Sequence, residues 1–110
     1  MKGLIIKEPY IDQILSGIKK WEIRGSNTSI RGKIYLIKSG TKKIYGEVDL
    51  VDSFEIDLEK YNEYYKELYG NSCESLPYKR TYAWVLEEPL LYDEPVPYIH
   101  PKGAIIWVNL

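Results

Sequence analysis

One cysteine, one histidine, one methionine and one phenylalanine stand in a chain of 110 residues. A lone Cys73 excludes an internal disulfide, and a single cysteine with a single histidine is too little for a structural zinc site. Cys73 follows Asn71-Ser72 in a loop-like stretch with no basic neighbour to activate it, and reads as a bystander thiol. His100 lies between Ile99 and Pro101 with no serine or cysteine partner at a suggestive spacing, and reads as a surface or strand-edge residue. No metal site and no cofactor are expected. No apolar run approaches the roughly 20 residues needed to cross a bilayer, so no membrane partner is expected. Lys7 ends the first apolar run too early for a signal peptide, which places the expected compartment in the cytoplasm. Charge of one sign is also missing: the net charge is -1 and the pI about 5.9. An anionic partner must then be held by a local basic patch and not by the global field. Internal repeats, low-complexity segments and linkers are absent too, and the length suits one domain over residues 1–110.

What the chain has in quantity is tyrosine, eleven of them, with three tryptophans. Both residue types join an apolar body to a polar tip, and suit cores, cleft walls and base-stacking surfaces alike. Leu4–Ile6 reads as a short strand. A helix opens at Pro9, carries Ile11, Ile14, Leu15 and Ile18 at helical spacing, and stops at Gly17. Strands are expected over Lys20–Arg24, Gly32–Lys38 and Ile44–Phe54, the last with Val48 and Leu50 on one face and Glu47 and Asp49 on the other. Gly46 suggests a bulge or a close backbone approach. Asp57 caps a helix over Leu58–Tyr69, stopped at Gly70, whose Leu58, Tyr61, Tyr65 and Leu68 form a core-facing stripe, with Tyr64 and Tyr69 broadening the aromatic surface. Thr81–Leu86 is a further strand, Glu87–Pro101 a proline-rich surface crossing, and Ala104–Val108 the last strand. The class is α+β: mostly antiparallel strands closing into a small barrel, with two main inserted helices. Closure would remove exposed sheet edges.

The stretch Gly17-Ile18-Lys19-Lys20-Trp21-Glu22-Ile23-Arg24 carries the chemistry. Side chains alternate along a strand, so Lys20, Glu22 and Arg24 share one face and Trp21 and Ile23 take the other. Lys19 sits at the turn and can swing toward the charged face. A carboxylate, a guanidinium fork and a mobile ammonium then stand together. The plainer reading is a surface ion pair worth about 0–1 kcal/mol.

Gly17-x-Lys19-x-x-Glu22-x-Arg24 resembles the signature of the ASCH domain family, within the PUA-like superfamily. The preceding Pro9-Tyr10 helix, Arg31-Gly32-Lys33-Ile34, Gly46-Glu47-Val48, Tyr82-Ala83-Trp84-Val85 and Lys102-Gly103 extend the resemblance over nearly the whole chain. It implies a PUA-like β-barrel with a cleft beside the first helix, lined by the signature, and a role in handling RNA, DNA or modified nucleosides. Some bacterial members deacylate N4-acylated cytidine with a Lys, a Thr and a Glu. Here that lysine falls on Lys19, and Glu22 occupies the threonine position.

Two chemistries follow for this face. As a binding module for single-stranded RNA or a nucleotide, Arg24 would meet a phosphate or base edge, Lys19 and Lys20 the backbone, and Glu22 an exocyclic amine. Lys38, Ser39 and Thr41 would add donors, and Tyr82 or Trp84 a stacking surface, although Trp84 reads better as core. As a hydrolase of a modified nucleoside, Lys19 and Glu22 would be the catalytic pair. That reading needs the Lys19 nitrogen within about 3 Å of a carboxylate or hydroxyl in a closed pocket. Little hydrolysis of N4-acetylcytidine is expected, because Glu22 replaces a hydroxyl and should favour the Lys19 ammonium. A third reading, a protein-interaction domain, would use Pro89–Pro101 or the tyrosine-rich helix face.

Overall fold

Alternating apolar residues build the sheet. The computed structural model describes residues 1–110. Six strands, β1 (Lys2–Ile6), β2 (Trp21–Arg24), β3 (Gly32–Lys38), β4 (Lys43–Ile56), β5 (Thr81–Pro97) and β6 (Trp107–Asn109), are joined with two helices, α1 (Tyr10–Leu15) and α2 (Leu58–Tyr69). They form one sheet in the order β2-β5-β4-β3-β1-β6. β1 and β3 are parallel; the other neighbours run antiparallel.

The sheet does not close, which corrects the barrel expectation. Its two end strands, β2 and β6, do not pair with each other. They have four and three residues, too little ladder to seal a small barrel. The sheet nevertheless curls. Register shifts in β4 at Ile44/Gly46, Glu47/Asp49 and Leu50/Asp52 bend it, as bulges do. Trp84 of β5 therefore stacks on Trp107 of β6, with ring centroids 5.8 Å apart, although three strands separate β5 from β6 in the sheet.

The concave side holds the main core: Leu4 and Ile6, Ile34 and Leu36, Val48 and Leu50, and Tyr82, Trp84 and Leu86. α1 plugs it with Ile11, Ile14 and Leu15. Pro9 stands as the N-cap residue, just before the helix. The helix ends before Ile18, which is left 66% exposed, because Gly17 turns the chain at φ 86°. Gly46 is a close approach: a Cβ there would meet the Leu90 carbonyl oxygen and the Leu15 side chain.

The opposite face of β5 meets α2, where Tyr61 packs with Ile56 and Ala83 against Trp21, Ile23 and Phe54. Asp57 caps α2 by accepting from the Lys60 N–H at 2.8 Å, and Gly70 ends it in the left-handed conformation. Of the expected stripe, only Tyr61 is buried; Leu58, Tyr65 and Leu68 are half-buried. β5 also runs well past Leu86. Glu87–Pro97, expected as a surface crossing, continues the ladder with β4 from Glu87↔Asp49 to Pro97↔Lys43. β2 covers only Tyr82–Val85, so the far edge of this segment is unpaired, and edge segments tolerate proline. The last strand is shorter than expected and begins at Trp107.

Candidate functional site

The curl leaves a cavity of about 480 Å³ at the open side of β2. β1 contributes Ile5 and the following Lys7, β2 contributes Glu22, Ile23 and Arg24, and α2 contributes Tyr61, Tyr64, Tyr65 and Tyr69. Tyr10 and Tyr78 complete a set of six lining tyrosines, out of the eleven in the chain.

The floor is charged and nearly inaccessible. Lys19 is 5% exposed and Glu22 6%. Arg24 donates to one oxygen of Glu22, Oε2, from Nε at 2.9 Å and lies 2.9 Å from it through Nη2. The same Nη2 donates to the Ile5 carbonyl at 2.9 Å, so the guanidinium bridges β2 to β1 where no ladder does. Both contacts fall on Oε2, and no buried side-chain oxygen lacks a partner; Oε1 of Glu22 is therefore turned to the cavity. The Arg24 guanidinium also lies 5.6 Å from the Trp84 ring centroid.

Lys19 donates to the Tyr64 hydroxyl at 2.8 Å, and that hydroxyl donates to the Trp21 carbonyl at 2.8 Å. The ammonium also faces the Tyr10 and Tyr64 rings, at 5.6 and 5.1 Å from their centroids. Burial lowers its pKa to about 8; Glu22 pulls the other way and Arg24 adds to the lowering. The expected dominance of Glu22 over Lys19 is thus reversed, because removing water from an ammonium outweighs one neighbouring carboxylate already held by an arginine. The expected mobility of the ammonium is corrected too, since α2 closes over it. Burial likewise raises the Tyr64 hydroxyl pKa and pushes Tyr61 up to about 12.

The period-two split of Trp21–Arg24 is visible in the packing. Trp21 stacks on Tyr64 at 4.9 Å and meets Phe54 edge-on at 5.6 Å, while Glu22 and Arg24 face the cavity. Ile23 packs with Trp21 and also touches the cavity, because β2 is an edge strand and the cavity wraps it.

Of the other residues singled out in the sequence, Ser39 lines the cavity and Lys20, Lys38 and Tyr82 do not. Lys20 precedes the first residue of β2; its carbonyl accepts from the Leu86 N–H at 2.8 Å and its side chain is exposed. Lys38 is held by Asp12 at 3.0 Å and Glu8 at 3.9 Å, over the Tyr45 ring, and ties α1 to β3. The hydrogen bond to Asp12 raises its pKa. Tyr82 shares the inward face of β5 with Trp84 and belongs to the core, so neither ring is free to stack on a base. Trp84 also donates its indole N–H to the Ser26 carbonyl at 3.0 Å. His100 is satisfied by the Tyr98 hydroxyl and the Ala104 carbonyl. No three His, Cys, Asp or Glu side chains come together as a metal site would require.

The residues that sequence reasoning missed are the α2 tyrosines as walls, with Tyr10, Tyr78 and Lys7. One signal was available. A helix face made of tyrosines carries hydroxyls that need partners, which suits a polar-tipped wall better than a sealed core.

The family model of the ASCH domain matches residues 4–96, and the chain belongs to the ASCH domain family. In fold it is similar to the crystal structure of ASCH from Zymomonas mobilis, with a TM-score of 0.71 at 15% identity, covering 99% of this chain and 86% of that one. A serine-to-alanine mutant of that protein matches with TM-score 0.71 at 15% identity, covering 99% and 87%. A tyrosine-to-phenylalanine mutant matches with TM-score 0.60 at 15% identity, covering 87% and 74%. No curated protein sequence matches the chain.

Proposed function

We propose that the cavity binds one unstacked base of a nucleoside, a nucleotide or single-stranded RNA. The observation that carries this reading is the pairing of six tyrosines with a floor of Lys19, Glu22 and Arg24. The volume falls in the usual range of ligand pockets, about 300–1,000 Å³. Aromatic walls accept the face of any base. At the floor, Oε1 of Glu22 offers an acceptor to an amine or ring N–H, and the remaining Lys19 protons offer donors to an adjacent ring nitrogen or carbonyl. Membership of the ASCH domain family and its RNA-binding-like fold support the same class of ligand.

Tyr10 is 44% exposed, so truncating it leaves the core intact. Fluorescence anisotropy with a short labelled RNA is the test. Tyr10→Ala should weaken binding by about 1–3 kcal/mol, the worth of one stacking contact. Lys42→Ala, in the turn before β4, should bind as the wild type does. Equal affinity for wild type and Tyr10→Ala would remove the cavity from the reading.

A second reading, hydrolysis of a modified nucleoside, is favoured by one specific observation. The Lys19 nitrogen lies 2.8 Å from a hydroxyl, that of Tyr64, inside the cavity, and its lowered pKa leaves part of it unprotonated near neutrality. Such an amine suits a base or a nucleophile. Chromatography of N4-acetylcytidine incubated with the protein separates the readings: turnover that vanishes in Lys19→Met supports the hydrolase, and binding without turnover supports the module.

A further inference from the structure

The rim of the cavity differs from its floor. β1 and β3 run parallel with Ile6 opposite Lys38, and the Ser39 N–H donates to the Ile6 carbonyl at 2.9 Å. Lys7 and Ser39, one step beyond, therefore stand side by side where the two strands end, and both line the cavity. Both side chains are exposed.

Their neighbours are already engaged. Lys38 is taken by Asp12 and Glu8, and the Thr41 hydroxyl donates to the Lys38 carbonyl at 2.7 Å. The Lys7 ammonium and the Ser39 hydroxyl make no bond within the protein. The only carboxylate lining the cavity is Glu22, which sits at the floor against Arg24. The cavity thus carries three cationic side chains, Lys7, Lys19 and Arg24, against one carboxylate; Arg24 is held by Glu22 and Lys19 by the Tyr64 hydroxyl, which leaves Lys7, at the mouth, without a partner.

We propose that Lys7 and Ser39 form a phosphate subsite, so that the ligand of this cavity is a nucleoside phosphate held by its base at the tyrosine-walled floor and by its phosphate at the rim. The inference rests on the base-binding reading above. A phosphate would repel Glu22 at the floor and meets an unpaired ammonium and a free hydroxyl donor at the rim, so the geometry orients the ligand with its phosphate outward. The phosphate is either a terminal monoester of a free nucleotide or a diester within an RNA chain; both present the same anionic oxygens.

The test is isothermal titration with the four ribonucleosides, their 5′-monophosphates, inorganic phosphate and a short single-stranded RNA. Any base that binds should bind about tenfold tighter as its monophosphate, the worth of one partly exposed charge-assisted contact. That preference should shrink with added salt and collapse toward parity in Lys7→Ala. Ser39→Ala should reduce it partly, and Lys42→Ala should leave it unchanged. RNA binding tighter than the monophosphates, and weakened by Lys7→Ala, assigns the diester; the reverse order assigns the monoester. Nucleosides that bind as tightly as their monophosphates would overturn the subsite and leave the base-binding reading standing. Failure of nucleosides, monophosphates and RNA alike would overturn both.

Discussion

Replacing Lys19 by methionine should lift a penalty on the stability of the protein whose size depends on pH. The lysine pKa falls from 10.5 to about 8 on folding, chiefly through burial. At about 1.4 kcal/mol per pH unit, the native protein holds this proton about 3 kcal/mol less tightly than the unfolded chain does. Above 10.5 both states have lost the proton and no penalty remains. As pH falls from there to about 8 the unfolded chain takes up the proton first, and stability is lost. Below about 8 the penalty is complete.

Between about pH 9.5 and about pH 7, wild type should therefore lose about 2 kcal/mol relative to Lys19→Met, which has no proton to bind. This proton term favours the variant by about 3 kcal/mol at about pH 7 and by about 1 kcal/mol at about pH 9.5, against a pH-independent loss of the Lys19–Tyr64 hydrogen bond. For a chain of this size, 2 kcal/mol corresponds to roughly 8 °C in Tm. Urea denaturation followed by the fluorescence of Trp21, Trp84 and Trp107 reads both curves. Tyr61 and Tyr64, whose pKa values are raised by burial, stay protonated in both native proteins up to about pH 9.5, so the ionisation of tyrosines in the unfolded chain cancels in the difference. Parallel pH profiles for wild type and Lys19→Met would refute the reasoning, since they would mean that Lys19 keeps its ordinary pKa in the native protein.

Arg24→Ala strips Glu22 of its only salt-bridge partner in a nearly buried position and should cost about 2–3 kcal/mol in denaturant unfolding, with Glu22→Gln added to it restoring part of the loss. Gly46→Ala places a methyl group against the Leu90 carbonyl and the Leu15 side chain and should cost about 1–3 kcal/mol, read as a lowered urea midpoint with an unchanged slope.

Elements with strong local signals were legible in the sequence. α2 begins after Asp57 and ends at Gly70 as its cap chemistry requires, and β3 spans Gly32–Lys38 as expected. The alternation that separates Trp21 from Glu22 was legible for the same reason: it is decided within a few residues. Non-local arrangements were not. Lys19 is buried because Tyr64, 45 residues further along, closes over it, and no spacing near Lys19 carries that fact. Tyr82 and Lys38 looked available because composition does not tell which face of a strand the core will take, nor that Asp12 and Glu8 would stand opposite. The barrel expectation failed on length: a four-residue β2 and a three-residue β6 leave closure without enough ladder.

That failure to close is also what makes the site. In a sealed barrel, β2 and its new neighbour would lie about 4.8 Å apart and their backbones would satisfy each other. Here the Ile5 carbonyl is satisfied by the Arg24 side chain instead, which holds the gap open at the length of an arginine and orients Glu22 in passing. The same gap admits the tyrosines of α2, whose hydroxyl chemistry would be wasted in a core. Each of these choices runs against stability: a desolvated ammonium, a carboxylate with one oxygen turned to a cavity, and an incomplete sheet edge. Sequences depart from local consistency mainly where function demands it. Three such departures meeting in one cavity, at Lys19, Glu22 and the open edge of β2, are the physical argument for the proposal that a ligand binds there.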